Sequence, residues 1–348
     1  MQHKITFFFL IVLMAATSCK QEKNDQNVSK DYIVLEGQTM GTYYGLNYAD
    51  SLGRNVQVAV DSLLEEINLS VSTYIESSLI SQFNRSASTF TLEDTTSGPA
   101  RHFLENYHAA KAVFRQSEGA FDPTVMPLVN YWGFGYTPKR KVMSVDSATV
   151  DSLLRFVGFD KVTLSGNVLR KSLPGVQLDF GGCAKGYGVD AMCRLIERKG
   201  IVNYLVNIGG EVRARGVNSK GEVWVVGINK PEEDAALETV EAALPLKNRS
   251  VSTSGNYRNF YEVNGVKYSH TINPLTGFPE RTTLLSASVF AENSLLADAY
   301  GTAFMVLGKE KALQLARSLP GLDAYLIYGK EDGSMGAEFT QGISQFEN

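Results

Sequence analysis

A glycine-rich stretch at residues 177–190 constrains the fold of this chain more than any other. The residues before it, Val176, Leu178 and Phe180, predict the end of a strand, and those after it a helix to about Lys199. Glycines let a backbone pass close to a ligand, and the first amides of a helix have no partner within it. The stretch therefore indicates either an anion-binding corner or a tight strand-to-helix connection whose glycines only relieve crowding.

Two opposite charges flank this turn, Asp179 and Lys185. Lys185 is followed by Gly186 and not by Ser or Thr, so the turn is not a P-loop. Its glycines also miss the strict GxGxxG spacing of dinucleotide-binding proteins. The charges at this turn need an explanation outside both motifs.

Composition excludes some partners. The chain has 348 residues, 44% of them hydrophobic, which suits one large domain or two lobes. Its net charge of −4 gives no basic surface, so we expect no nucleic-acid partner. The three cysteines and four histidines lack the paired spacing of a zinc site, and they build no disulfide framework.

The N-terminus predicts export. The apolar run Ile5–Ala16 is short for a bilayer span and fits a secretory signal. It ends in Ala16-Thr-Ser-Cys19, similar to a bacterial lipobox, with Ala16 where Leu is preferred. We predict a signal peptide at 1–18, a lipidated Cys19 with a flexible tether at 19–30, and a folded domain at 31–348. The protein would then face the periplasmic side of the inner membrane; an incidental, unmodified Cys19 is the alternative.

Strand and helix patterns both occur in the folded part. Predicted strands lie at 32–36, 41–48, 162–164, 168–171, 203–216 (broken at Gly209-Gly210), 224–229, 237–246, 284–291 and 324–328. Predicted helices lie at 54–68, 99–117, 145–157, 294–307 and 309–318.

One helix and one loop carry candidate functional side chains. Asp298 and Thr302 are four residues apart and share a helix face, where their oxygens would suit Mg²⁺ better than zinc. Alternatively, Thr302 bonds to its own helix backbone and Asp298 is solvated. His270 ends a strand beside a turn, where it is either functional or structural. His102 is predicted to lie at the surface or its boundary.

Several short motifs follow one another in a recognisable order. They are Met40-Gly-Thr42, Ser72-Thr-Tyr74, Ala120-Phe-Asp-Pro123, Asp179-Phe-Gly-Gly-Cys-Ala-Lys-Gly186, Asn207-Ile-Gly-Gly210, Thr253-Ser-Gly-Asn-Tyr257, His270-Thr-Ile-Asn-Pro-Leu-Thr-Gly277 and Ala297-Asp-Ala-Tyr-Gly-Thr302. Together they resemble the ApbE family of bacterial FAD:protein FMN transferases. The resemblance extends from about Tyr32 to Tyr328.

The resemblance implies a compact two-lobed α+β fold, with mixed or antiparallel sheets and flanking helices. FAD would lie in the cleft, with Mg²⁺ at its pyrophosphate. The residues implied to line the flavin nucleotide are Met40, Tyr74, Ala120, Phe121, Asp122, Asp179, Lys185 and Ile272. Those implied to hold the metal are Gly182, through its carbonyl, Asp298 and Thr302.

The implied reaction is Mg²⁺-dependent transfer of FMN from FAD to a Thr or Ser hydroxyl of an acceptor flavoprotein, with release of AMP. Acceptors of this family are typically subunits of membrane redox complexes. We expect Mg²⁺ and the amides of the glycine turn to offset the pyrophosphate charge, and Lys185 to neutralise phosphate. His270 is the first candidate for the general base and Asp179 the second.

Other functions remain open at this point. A Mg²⁺-dependent FAD pyrophosphatase would use the same residues with water as the nucleophile. A non-catalytic FAD-binding lipoprotein would have less need of Asp298 and Thr302. A serine hydrolase using Ser254 has little support, because no GxSxG elbow is present.

Overall fold

The computed structural model describes residues 32–96, 98–137, 146–231, 240–256, 260–263 and 266–344. Its strands are β1 (Tyr32–Thr39), β2 (Thr42–Ala49), β3 (Thr89–Thr91), β4 (Val162–Ser165), β5 (Val168–Lys171), β6 (Tyr204–Ile208), β7 (Glu211–Arg215), β8 (Trp224–Asn229), β9 (Val240–Leu246), β10 (Arg249–Gly255), β11 (Phe260–Val263), β12 (Val266–Ser269), β13 (Leu284–Ala291), β14 (Asp323–Gly329) and β15 (Met335–Phe339). Its helices are α1 (Gln57–Val71), α2 (Leu79–Arg85), α3 (Gly98–Gln116), α4 (Met126–Tyr131), α5 (Ser147–Leu154), α6 (Ala184–Glu197), α7 (Ser294–Ser318) and α8 (Gln341–Ser344).

An eight-stranded sheet carries the fold, in the order β1-β2-β6-β7-β10-β13-β14-β15. Strands β3, β5 and β4 form a small second sheet, and β8–β9 and β11–β12 are hairpins. All strand pairings within the described ranges are antiparallel. The α+β prediction is confirmed, and of the two sheet types expected the antiparallel one is observed.

Strand β13 lies inside the sheet and is covered on both faces. Ala287 and Val289 belong to the main core, which the sheet shares with α1, α3, α6 and α7, whereas Phe290 packs with Trp224 and Leu244 of the β8–β9 hairpin. A strand buried on both faces has a fixed register, because a one-residue slip would exchange its two sets of side chains. Strand β13 therefore gives β10 and α7 a rigid support.

A smaller apolar cluster lies apart from the main core. It joins Leu128, Trp132 and Val150 to Ile272, which comes from the loop after β12. Residues of both bodies line the main cleft of the protein. The predicted division into two lobes stays a prediction.

The segment before the glycine turn is extended but forms no strand, so that prediction is wrong. Its backbone pairs with a side chain: Asn84 Oδ1 accepts from Leu178 N at 2.7 Å, and Asn84 Nδ2 donates to Leu178 O at 2.8 Å. Asp179 N then donates to Pro123 O at 2.7 Å. An alternating apolar pattern shows that a segment is extended and half-buried, but not what it pairs with.

Helix α7 begins and bends close to the predicted positions. Its N-cap is Asn293, one residue before the predicted helix, and Asn293 Oδ1 accepts from Leu296 N at 2.9 Å. Gly308 interrupts the helix with φ 74°, which confirms the predicted break. Among the described residues, no helix combines the length and apolarity needed to cross a bilayer. The predicted signal peptide and Cys19 lie outside the described residues and stay predictions.

His102 is buried, so its prediction as a surface or boundary residue is wrong. It is 1% exposed at the junction of α1, α3 and α6. Its Nδ1 lies 2.6 Å from the Tyr187 hydroxyl and its Nε2 lies 2.8 Å from Glu66 Oε1. Both ring nitrogens therefore have hydrogen-bond partners on other helices, so burying the histidine leaves no polar atom without a partner.

We expect His102 to make stability pH-dependent. Burial lowers its pKa below the ordinary value of 6.5, so the folded state disfavours the charged ring. The free energy of unfolding should therefore fall as pH drops below about 6.5 and level off below the folded pKa. Urea unfolding of wild type and His102→Gln would show a stability difference that is constant above about pH 7.5 and shrinks toward about pH 5. A difference that does not change with pH would contradict this.

Candidate functional site

Three amides of the glycine turn are already occupied. Cys183 N and Ala184 N both donate to Phe180 O, at 2.9 and 2.7 Å. Gly181 N donates to Asp179 Oδ1 at 2.8 Å. These three amides therefore have partners within the turn. The expected role of the turn's other amides in binding an anion stays a prediction.

Helix α6 crosses α7 closely just after the glycine turn. A Cβ at Gly186 would lie 2.2 Å from Ser294 O and 2.9 Å from the Asp298 Cβ, so glycine is required for this approach. Gly186 N donates to Asp298 Oδ2 at 3.0 Å. Asp298 is 4% exposed, and its burial raises the pKa of its carboxyl, although Lys185 opposes this rise. The crossing thus holds a desolvated carboxylate against the start of α6.

The oxygens around Asp298 suit a magnesium ion. Thr302 lies one turn further along α7, and its hydroxyl donates to Gly182 O across 3.4 Å. A Cβ at Gly182 would lie 3.0 Å from Thr302 Oγ1, so glycine keeps this carbonyl close to the hydroxyl. Within the described ranges no three His, Cys, Asp or Glu side chains form a metal-binding group. One carboxylate with neutral oxygens fits Mg²⁺, which usually completes its shell with water and substrate phosphates.

Lys185 points from the first turn of α6 to Glu211, the first residue of β7, and forms an ion pair with its Oε1. Glu211 is 2% exposed and follows the Gly209-Gly210 turn, where both glycines have positive φ. The sequence analysis did not select Glu211. A signal was present, because Glu211 and Arg213 alternate with Val212 along the strand and must share its one face.

The opposite wall comes from the turn after Ala120 and from the loop after β12. Asp122 Oδ1 accepts from Thr124 N at 2.8 Å and from Thr124 Oγ1 at 2.6 Å, which fixes the turn after Ala120. Burial raises the pKa of Asp122. The loop after β12 is held by Trp132, whose indole N–H donates to Gly277 O at 2.8 Å. His270 lies at the start of that loop, with its ring centre 6.4 Å from that of Phe134.

The two walls enclose a cavity of about 390 Å³. The predicted site residues that line it are Ala120, Phe121, Asp122, Asp179, Gly182, Lys185, His270, Ile272, Asp298 and Thr302. Residues that sequence reasoning did not select also line it, including Glu211, Pro123, Val129 and Phe134. Side chains from separate parts of the sequence therefore meet in one place.

Two predicted residues lie outside this cavity. Met40 packs against the main core, and a Cβ at Gly188 would lie 3.1 Å from its Cε. Tyr74 is 74% exposed and lines a neighbouring pocket of about 290 Å³ with Gln177. Partial burial of its hydroxyl and the charge of Asp179 raise the pKa of Tyr74, so this tyrosine is within electrostatic reach of the cavity. The predicted flavin contacts of both residues stay predictions.

Acidic groups outnumber basic ones in the cavity. The carboxyl groups that face it belong to Asp179, Glu211 and Asp298. Lys185 pairs with Glu211 and also interacts electrostatically with Asp298. Burial raises the pKa of Asp179, partly offset by the Gly181 amide. A doubly charged pyrophosphate would be repelled by such a site unless a divalent cation entered with it. The charge balance thus supports the same metal as the donor oxygens.

Comparison with known proteins shows the family of this chain. The model of the ApbE family matches residues 40–326. A FAD:protein FMN transferase from Vibrio cholerae is 35% identical over 310 residues, covering 87% of this chain and 89% of its own. One from Haemophilus influenzae is 34% identical over 339 residues, covering 95% and 94%. The chain belongs to the ApbE family.

A solved structure shows the same fold. The flavin transferase ApbE from Vibrio cholerae superposes with a TM-score of 0.81 at 33% identity, covering 91% of this chain and 99% of that one. The resemblance found in the short motifs is therefore confirmed along nearly the whole folded part.

Proposed function

We propose that this protein is an FAD:protein FMN transferase that uses Mg²⁺. The observation that carries the proposal is the meeting of Gly182, Lys185, His270, Asp298 and Thr302 in one cleft. Curated relatives that match along most of the chain carry this activity in their names. The protein should therefore bind FAD with its pyrophosphate against α6 and α7.

The metal would be held by Asp298, Thr302 and the Gly182 carbonyl. When bound, Mg²⁺ supplies positive charge that offsets the pyrophosphate and the departing AMP. Lys185 adds a second positive charge at the same edge of the cavity. Asp298 is held ready by its bond to Gly186 N and needs no rearrangement to face the cleft.

The reaction needs a base near the phosphorus. The oxygen of a Ser or Thr hydroxyl on the acceptor forms a bond to the FMN phosphorus, and the bond from that phosphorus to the bridging oxygen breaks, releasing AMP. The hydroxyl proton passes to the base. His270 lines the cavity on the wall opposite Asp298 and is our first candidate, and Asp179 is the second.

Replacing His270 by Ala should slow transfer by roughly 10²-fold, because general-base catalysis contributes at least about that much. The rate of the variant should also depend less on pH than that of the wild type, because the proton-accepting imidazole is missing. His108→Ala is the matched control, since His108 is exposed on α3. An alanine variant with the wild-type rate at every pH would exclude His270 as the base.

The proposed activity is tested by incubating the purified protein with FAD, Mg²⁺ and an acceptor flavoprotein domain. Flavin fluorescence should stay on the acceptor through denaturing electrophoresis and should require Mg²⁺. Free FMN and AMP with an unlabelled acceptor would instead indicate an FAD pyrophosphatase. Retention of FAD without either product would indicate a binding protein.

We further propose an extracytoplasmic protein anchored to the membrane by acyl chains on Cys19. The support is the apolar run Ile5–Ala16 and the short motif that ends in the cysteine. Labelled palmitate should enter the wild-type chain in a bacterial host, and Cys19→Ser should abolish the label. Equal labelling of both would rule out this anchor.

A further inference from the structure

Helix α6 and strand β7 are joined by a series of ion pairs. Alternate residues of β7 face the helix, as expected for one face of a strand. The pairs are Lys185 with Glu211, Asp190 with Arg213 at 2.8 Å, and Glu197 with Arg215 at 3.0 Å. The pair at the cavity is reversed, because there the strand carries the acid and the helix carries the base.

The reversed pair is poorly placed for stability. Lys185 is the second residue of α6, where the helix dipole disfavours a positive charge. Glu211 Oε2 is buried and accepts no hydrogen bond. Asp190, by contrast, accepts from Ser294 N at 3.0 Å and from Leu295 N at 2.9 Å besides binding Arg213. Burying a carboxylate with one donor costs free energy, so a role in the cavity explains Glu211 better than stability does.

Lys185 has a second carboxylate within reach. Lys185 and Asp298 line the same cavity. The backbone amide of the next residue, Gly186, already contacts Asp298. A lysine side chain is long and flexible, so without Glu211 its ammonium can turn to Asp298. That turn would neutralise the one carboxylate that the proposed metal site contains.

We propose that Glu211 is a positioning residue that holds the Lys185 ammonium away from Asp298 and so keeps the Asp298 carboxylate open to a divalent cation. The inference rests on the metal site of the proposed function. It makes Glu211 important for cation binding although Glu211 does not touch the cation.

Binding of Mn²⁺ to the FAD-free protein, followed by electron paramagnetic resonance, tests this directly. Mn²⁺ takes the same oxygen ligands as Mg²⁺. Glu211→Gln should weaken Mn²⁺ binding roughly tenfold, because Lys185 then competes for Asp298. Lys185→Met should bind at least as tightly as wild type. Glu211→Gln in the Lys185→Met background should change affinity by less than about twofold.

Glu197→Gln is the matched control, since it breaks the far ion pair of the same helix and strand, and it should leave Mn²⁺ affinity within about twofold of wild type. Equal weakening by Glu211→Gln in both backgrounds would overturn the proposal, because Glu211 would then act on the cation by its own charge. Unchanged affinity in Glu211→Gln would overturn it too. If Glu211→Gln does not fold, Lys185→Met still decides, and weaker binding by that variant contradicts the proposal.

The outcomes also separate this inference from the proposed function. If wild type binds Mn²⁺ and the variants disagree with the pattern, the role of Glu211 fails while the metal site stands. If wild type binds none, the proposed metal site fails, and the inference fails with it.

Discussion

Asp298→Asn is expected to slow FMN transfer roughly 10²- to 10³-fold, the usual loss when one preorganised charge-stabilising group is removed. Asparagine can still accept the hydrogen bond from Gly186 N, so the helix crossing should persist. What disappears is the negative charge that would bind Mg²⁺. A coupled assay of acceptor labelling at saturating FAD measures the loss.

The stability of Asp298→Asn shows whether its loss of activity is caused by unfolding. Burial raises the pKa of Asp298, so the charged form is costly in the folded protein. Asp298→Asn should therefore unfold at the same urea concentration as wild type or a higher one. The control is Asp151→Asn on the exposed side of α5, which should change neither rate nor stability. Wild-type activity of Asp298→Asn would remove Asp298 from the metal site.

Gly186→Ala is expected to lower the free energy of unfolding by about 3 kcal/mol or more, at the upper end for an overpacked core. The added Cβ would lie 2.2 Å from the Ser294 carbonyl oxygen, and neither backbone can yield without separating α6 from α7. The Gly182 carbonyl and Thr302 lie at the same contact, so activity should fall with stability. Urea unfolding measures the first effect and acceptor labelling the second.

The control for this substitution is Gly45→Ala in β2, where an added Cβ meets no atom within 4 Å. Its free energy of unfolding should change by less than about 1 kcal/mol. A Gly186→Ala variant as stable as Gly45→Ala would show that the two helices are farther apart than the structure indicates.

The sequence predicted the positions of helices and strands better than it predicted which residues they contact. Regular periodicity placed α3 and β13 closely, because each has a continuous apolar pattern over its length. The segment around Leu178 was predicted as a strand, because its alternation cannot reveal that the Asn84 side chain replaces a neighbouring strand. His102 looked like a surface residue because its partners, Glu66 and Tyr187, come from helices far along the chain.

In the candidate site, too, local sequence patterns were predicted and contacts between distant residues were not. Asp298 and Thr302 were found because helix periodicity alone puts them on one face. The sequence could not show that Phe180 O, a carbonyl within the turn, accepts hydrogen bonds from two of the amides that were expected to bind an anion. Glu211 was missed because a single acidic residue after two glycines has no motif. Its importance comes from a contact with Lys185, 26 residues earlier.

We propose that this cleft transfers FMN to a protein hydroxyl and does not merely hydrolyse FAD. The most direct test compares AMP released with acceptor labelled, in one reaction with FAD and Mg²⁺. We expect one AMP for each acceptor molecule whose mass has risen by FMN less water, and no product when Mg²⁺ is chelated. AMP and free FMN released in equal amounts, with the acceptor mass unchanged, would contradict the claim.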